Sequence, residues 1–197
     1  MRNFFFISAF FAFVFAVFAI NSKVSSQSST LISPVPPALF EKTVSKKLPG
    51  VPVKISIPKL NVNAVIEPVA KDKDGLMDIP KDVYNAAWYS PGAKPGNPGN
   101  AVIAGHLNTP KFTPSIFTKL DTLVPGDEIL IYDKEGNVWN FTVLNIQVFS
   151  SESFPINLVF GPSDKKYLNL ITCSGIWQKD KQNYSQRTVV FSKLISS

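Results

Sequence analysis

Val53, Ile55 and Ile57 alternate with Lys54 and Ser56, the period-two pattern of a strand with one buried face. Similar runs recur along the chain. Val62–Val69 predicts a second strand after a turn at Lys59–Asn61, and Ala101–Gly105 predicts a short apolar one. Glu128–Tyr132 and Val138–Ile146 flank Gly136-Asn137 and read as a hairpin, with Trp139, Phe141 and Val143 on one face. Tyr167–Cys173 and Thr188–Leu194 predict the last two strands. Helical spacing is scarce. Thr113-Pro114 opens one short candidate helix through Leu120, because Thr can cap a helix and Pro is tolerated at its first position. Ile116, Phe117 and Leu120 would form its buried stripe. Many short strands, Gly/Pro-rich turns and little helix predict an all-β domain, a closed barrel or a sandwich.

A different pattern precedes these strands. Phe4–Ile20 is apolar apart from Ser8 and follows Met1-Arg2-Asn3. At about 1.5 Å per residue it is just long enough to span a bilayer as a helix. Residues 1–21 therefore predict an N-terminal membrane anchor or signal segment, with "VFA" at Val17–Ala19 as a candidate cleavage site. An uncleaved anchor is the favoured reading, with Arg2 on the cytoplasmic side. The Ser-rich "SKVSSQSST" and Pro-rich "SPVPPALF" cannot bury enough apolar area to order themselves, so residues 22–50 predict a linker. Residues 51–197 remain as one domain. The expected location is the cell membrane, single-pass, with this domain outside the cytoplasm.

Composition narrows the function classes. With 45% apolar residues the chain can build a core without staples. The formal net charge is +6, carried almost wholly by lysines that are scattered, Lys46-Lys47 and Lys165-Lys166 being the longest runs. Nucleic-acid binders cluster Arg and Lys on one face, so no nucleic-acid partner is expected. One His and one Cys cannot supply the usual ligand sets of a structural zinc site. The chain contains no GxGxxG, P-loop or CxxC. No metal and no cofactor are expected.

Scarcity points to the chemistry. His106 is the only histidine, Cys173 the only cysteine, and Arg187 the only arginine besides Arg2. Each falls at the edge of a predicted strand, where sites are usually built. Singly, a packed thiol, a structural imidazole and a surface guanidinium are ordinary. Together they form a kit: a thiolate that attacks, an imidazole that moves protons, and a guanidinium that holds a thiolate, a carbonyl or an oxyanion.

The segments carrying these residues resemble the sortases. "LITCSG" is similar to the TLxTC signature of that family, "AGHLNT" to its histidine segment and "QRTVVFSKL" to its final strand with the arginine. "WYSPGAKPGNPGNAVIAGH" and "LDTLVPGDEI" most resemble class F, or class E/F-like, sortases. The resemblance covers Val51–Leu194. It departs at Asn169, where the signature has Thr, and at Ser174 after the cysteine.

The resemblance implies a closed β-barrel of about eight strands with one or two short helices. It also implies a cysteine transpeptidase. Cys173 would attack the threonine carbonyl of an LPxTG-like sorting motif and form a thioester. His106 would protonate the leaving amine and then activate an acceptor amine, from a peptidoglycan precursor or a pilin lysine. Arg187 would hold the substrate backbone and oxyanion, with Thr172 assisting through its backbone or hydroxyl. The Phe149–Lys166 connection, through Phe154, Ile156 and Leu158, would receive the Leu-Pro end of the motif. An L,D-transpeptidase resembles an S-H-G-C arrangement with histidine two residues before cysteine, but position 171 is Ile. Papain-like and NlpC/P60 peptidases place Cys before His, the reverse of this chain. The non-enzymatic alternative is a surface-anchored β-barrel binding module.

Overall fold

The computed structural model describes residues 47–196. The anchor segment and nearly all of the linker lie outside the described residues. Among the described residues no helix is long and apolar enough to cross a membrane.

The strands are β1 (Pro52–Ile57), β2 (Val62–Val69), β3 (Ala86–Tyr89), β4 (Gly99–Gly105), β5 (Glu128–Asp133), β6 (Val138–Ser150), β7 (Lys166–Gln178) and β8 (Asn183–Ser196). They close into a barrel in the order β1-β2-β3-β4-β7-β8-β6-β5. The β2–β3 and β4–β7 pairs are parallel; the others are antiparallel.

Alternation along each strand sorts side chains to two faces. Ile55, Ile57, Ile103, Ile129, Ile131, Trp139, Phe141, Leu168 and Leu170 fill the barrel interior. A second cluster lies on the outer face, where Val102 of β4, Ile171 of β7 and Val189 of β8 pack against Val159. Val159 comes from α1 (Ile156–Phe160), a single turn within the β6–β7 connection. Asn169 fastens that connection. Its buried amide donates to the Val159 carbonyl (2.8 Å) and to Asn100 Oδ1 (3.1 Å), and Asn100 Nδ2 donates to the Gly161 carbonyl (2.8 Å).

Where the chain enters the domain, Gly50 N–H donates to Asp133 Oδ2 (3.0 Å), at the end of β5. Asn137 N–H, Asn137 Nδ2 and Trp139 Nε1 donate to the same carboxylate. Burial works to raise the Asp133 pKa, but the bonds from Trp139, Asn137 and Gly50 outweigh it and hold the group at about 2.

Three local expectations need correcting. The helix over Thr113–Leu120 is absent: the segment is a string of turns, and only Leu120–Thr122 forms a 3-10 turn. Side chains there satisfy the backbone instead, for example Thr118 Oγ1 accepting from Ser115 N–H (2.8 Å) and donating to the Leu107 carbonyl. Phe117 and Leu120 are nonetheless fully buried, and Ile116 packs against the core. Strand β3 has no counterpart among the expected strands, because "AAWY" is nearly all buried and shows no alternation. Finally, β7 does not end at Cys173 and β8 does not start at Thr188. The ladder continues to Gln178 and Asn183 across a bulge between Ser174 and Trp177. Gly175 sits in the bulge at φ +78, where a side chain would be strained and would strike Ser185.

Candidate active site

The barrel registers bring the three rare side chains onto one rung. Ala104 of β4 is opposite Ile171 of β7, and Ile171 is opposite Val189 of β8. One outward-facing step further, Cys173 is opposite Arg187. The same step along parallel β4 brings His106, one residue past the strand end, level with Cys173. Adjacent strands lie about 4.8 Å apart. The thiol therefore has the imidazole segment on one side and the guanidinium strand on the other, at one end of the outer apolar cluster. All three residues are half-buried.

Thr172 secures this alignment. It points inward with Leu170, is buried, and its Oγ1 donates to the Gly105 carbonyl (2.9 Å). Its hydroxyl is thus spent on the strand end that presents His106. The His106 carbonyl accepts from Phe117 N–H (3.1 Å). Gly105 is required between them, since a Cβ there would come within 2.5 Å of the Phe117 ring. Replacing Thr172 by Val keeps the shape and removes one part-buried hydrogen bond, so thermal unfolding should report a loss of about 1 kcal/mol. An unchanged transition would show that the bond does not hold the strand end.

The electrostatics push the thiol and the imidazole toward neutrality. Burial raises the Cys173 thiol pKa, and the Arg187 charge opposes this. Burial lowers the His106 imidazole pKa. Arg187 is itself held by its own strand: Nη1 donates to the Gln186 (2.8 Å) and Tyr184 (3.1 Å) carbonyls, and Nη2 to Asn183 Oδ1 (2.8 Å).

The residues expected along the β6–β7 connection divide. Phe154 packs edge-to-face on Phe149 (6.0 Å) within the outer cluster. Ile156 and Leu158 are 63% and 54% exposed on α1. Asn108, Asn183 and Tyr184 also belong to the site region and were not singled out by sequence. Their one signal is position: two residues after His106, and four and three before Arg187. Among the described residues no cluster of side chains suited to a metal ion occurs.

A sortase-domain family model matches residues 55–195. The chain belongs to the sortase family. It is accordingly a cysteine transpeptidase. No curated protein matches the chain significantly. Among solved structures, this sortase is 26% identical to a sortase D5 transpeptidase of Clostridium perfringens, over 75% of this chain and 79% of that one, with a TM-score of 0.55. A lid mutant of sortase A from Corynebacterium diphtheriae shares the fold at 22% identity, over 77% and 74% of the two chains, with a TM-score of 0.58. Sortase C1 of Streptococcus agalactiae does so at 17% identity, over 74% and 67%, with a TM-score of 0.57.

Proposed function

We propose that this sortase cleaves an LPxTG-like sorting motif after threonine and transfers the acyl group to an amine. The observation that carries this reading is the single rung of His106, Cys173 and Arg187. The Cys173 sulfur attacks the threonine carbonyl, and the carbonyl carbon–nitrogen bond breaks. His106 supplies the proton that the departing glycine amine takes. An acceptor amine then gives a proton to His106, attacks the thioester and releases the Cys173 sulfur. Arg187 lies beside the developing oxyanion and offers its remaining N–H groups. The acceptor is a peptidoglycan precursor or a pilin lysine, and the enzyme acts at the outer face of the cell membrane, held there by residues 1–21. The Pro/Gly-rich lead into His106 supports a class F, or class E/F-like, assignment.

The test is intact-mass measurement after incubation with a set of LPxTG-variant peptides and amines. A thioester adduct on Cys173 that an amine converts to ligated peptide is expected. A chain that gains no mass with any member of the set would refute the reading.

Ile156 and Leu158 offer exposed apolar surface for the Leu-Pro end of the motif. Ile156→Ser should alter preference among the peptides and leave the unfolding transition within about 0.5 kcal/mol of the parent, as at other exposed sites. Equal loss of activity on every peptide, with lower stability, would mark Ile156 as structural.

The dependence on pH follows from the opposed burial shifts. Thiolate with imidazolium holds the same number of protons as thiol with imidazole. That protonation level persists from the histidine pKa up to the cysteine pKa. Ordinary values of about 6.5 and 8.5 give a reactive ion-pair fraction of about 1%. Burial lowers one pKa and raises the other, so the plateau widens at both ends while its height falls. A flat kcat/KM is expected across neutral pH, with the acid limb below about 6.5 and the alkaline limb above about 8.5. A narrow bell inside those limits would contradict it.

A further inference from the structure

Two residues at the start of β8 grip both flanks of the thiol. On one flank, Asn183 Oδ1 and the Tyr184 carbonyl accept from the Arg187 guanidinium. With the bond to Gln186, three of its five N–H groups are committed. On the other flank, Asn108 Nδ2 donates to the Tyr184 hydroxyl (2.7 Å). Asn108 lies two residues past His106, on the same connection. The Tyr184 ring packs edge-on against Trp177 (5.1 Å), and Trp177 against Phe112 of the His106 connection (5.9 Å). Asn183 is oriented in turn, because its Oδ1 also accepts from Tyr184 N–H (2.9 Å).

Every acceptor on Arg187 is neutral, and among the described residues the guanidinium forms no ion pair. A carboxylate could aim the fork equally well, but it would cancel the positive charge beside Cys173. An asparagine aims it and leaves the charge intact. The N–H groups not used by these bonds remain for a substrate.

We infer that Asn183 and Tyr184 are positioning residues: Asn183 aims the Arg187 fork without neutralising it, and Tyr184 ties the His106 connection to the same hairpin. Both effects rest on the roles given to Arg187 and His106 in the proposed function. A purely structural role would make the two residues stabilisers of the β7–β8 hairpin and nothing more.

Double-mutant cycles on the full chain separate these cases, using the best-cleaved LPxTG-variant peptide as probe. Asn183→Ala should lower kcat about tenfold and leave KM within about twofold, the loss of one hydrogen bond to a charged group. In an Arg187→Ala background it should cost less than about twofold. Asn183→Asp keeps the acceptor but pairs the charge; it should fold like the parent and still be slow. Tyr184→Phe keeps the ring packing and loses the hydroxyl; it should be slower than the parent, with no further loss when combined with Asn108→Ala. Equal fold-losses in both backgrounds, additive Tyr184 and Asn108 effects, or a parent-like rate for Asn183→Ala or Asn183→Asp would overturn the inference alone. A parent-like rate for Arg187→Ala would instead remove the role of Arg187, and the Asn183 effect with it.

Discussion

Cys173→Ala is expected to abolish turnover while the barrel stays folded. The chain contains no second thiol to substitute for it. The sulfur is one atom on the outer face of β7, so its loss opens little space in the core, and the stability cost should be about 1 kcal/mol or less. The backbone at this position is held on β7 by the β8 ladder whatever the side chain. His106→Ala should be as severe in practice. A positioned acid–base group contributes about 10²–10⁴-fold, and in the proposed mechanism the same imidazole would serve the leaving amine and the incoming one. The measurement is peptide cleavage followed by mass spectrometry, with circular dichroism and thermal unfolding as controls. Undiminished turnover by Cys173→Ala would end the nucleophile assignment.

The largest effect on stability should come from Asp133. The residue is 4% exposed, and its carboxylate accepts from Gly50, Asn137 and Trp139. Asp133→Ala strands these donors, two of them at buried sites. At about 1–3 kcal/mol for each buried donor left unsatisfied, the loss is about 2–6 kcal/mol, or roughly 10 °C in the unfolding midpoint. The pH dependence has a definite sign. The folded-state pKa of about 2 lies below the unfolded value of about 3.9, so the carboxylate stabilises the fold above pH 4 and stops doing so as pH falls toward 2. The difference corresponds to about 2.5 kcal/mol, of which about half is gone at pH 3. Denaturant unfolding of parent and variant at pH 7 and pH 3 should therefore show a smaller gap at the lower pH. A gap of constant size would mean that the neutral acid serves as well as the carboxylate.

How much of this was legible in the sequence depended on whether the cause was local. Alternation marked β1 and the first half of β6, because one face of each packs inward and the pleat has period two, whereas β7 is buried on both faces from Leu168 to Thr172 and read only as an apolar run. Strand β3 left no such trace, since its four residues are nearly all buried. The Thr113–Leu120 segment misled for a local reason too: Thr-Pro opens turns as well as helices, and the Thr118 hydroxyl closes a turn by bonding the Ser115 N–H and the Leu107 carbonyl. Phe117 and Leu120 could still be read as buried, because their hydrophobicity does not depend on the backbone that carries them. At the site, rarity alone picked out His106, Cys173 and Arg187. That they share a rung was not readable, because it depends on parallel pairing between β4 and β7, far apart in the chain. Asn108, Asn183 and Tyr184 stayed hidden for the opposite reason: they are common residue types, and only their contacts distinguish them.

The closure of the barrel also limits how a peptide can be held. From Lys166 to Ile171, β7 is bonded to β4 on one side, and from Tyr167 onward to β8 on the other. That stretch has no free edge, so a peptide laid over it cannot be captured by strand addition, the commonest way to bind an extended chain through its backbone. Recognition there must fall to side chains and shape. A proline, which lacks the N–H that a ladder needs, would cost nothing on such a surface, and N-methylated peptide analogues should be accepted there where a strand-adding receptor would reject them.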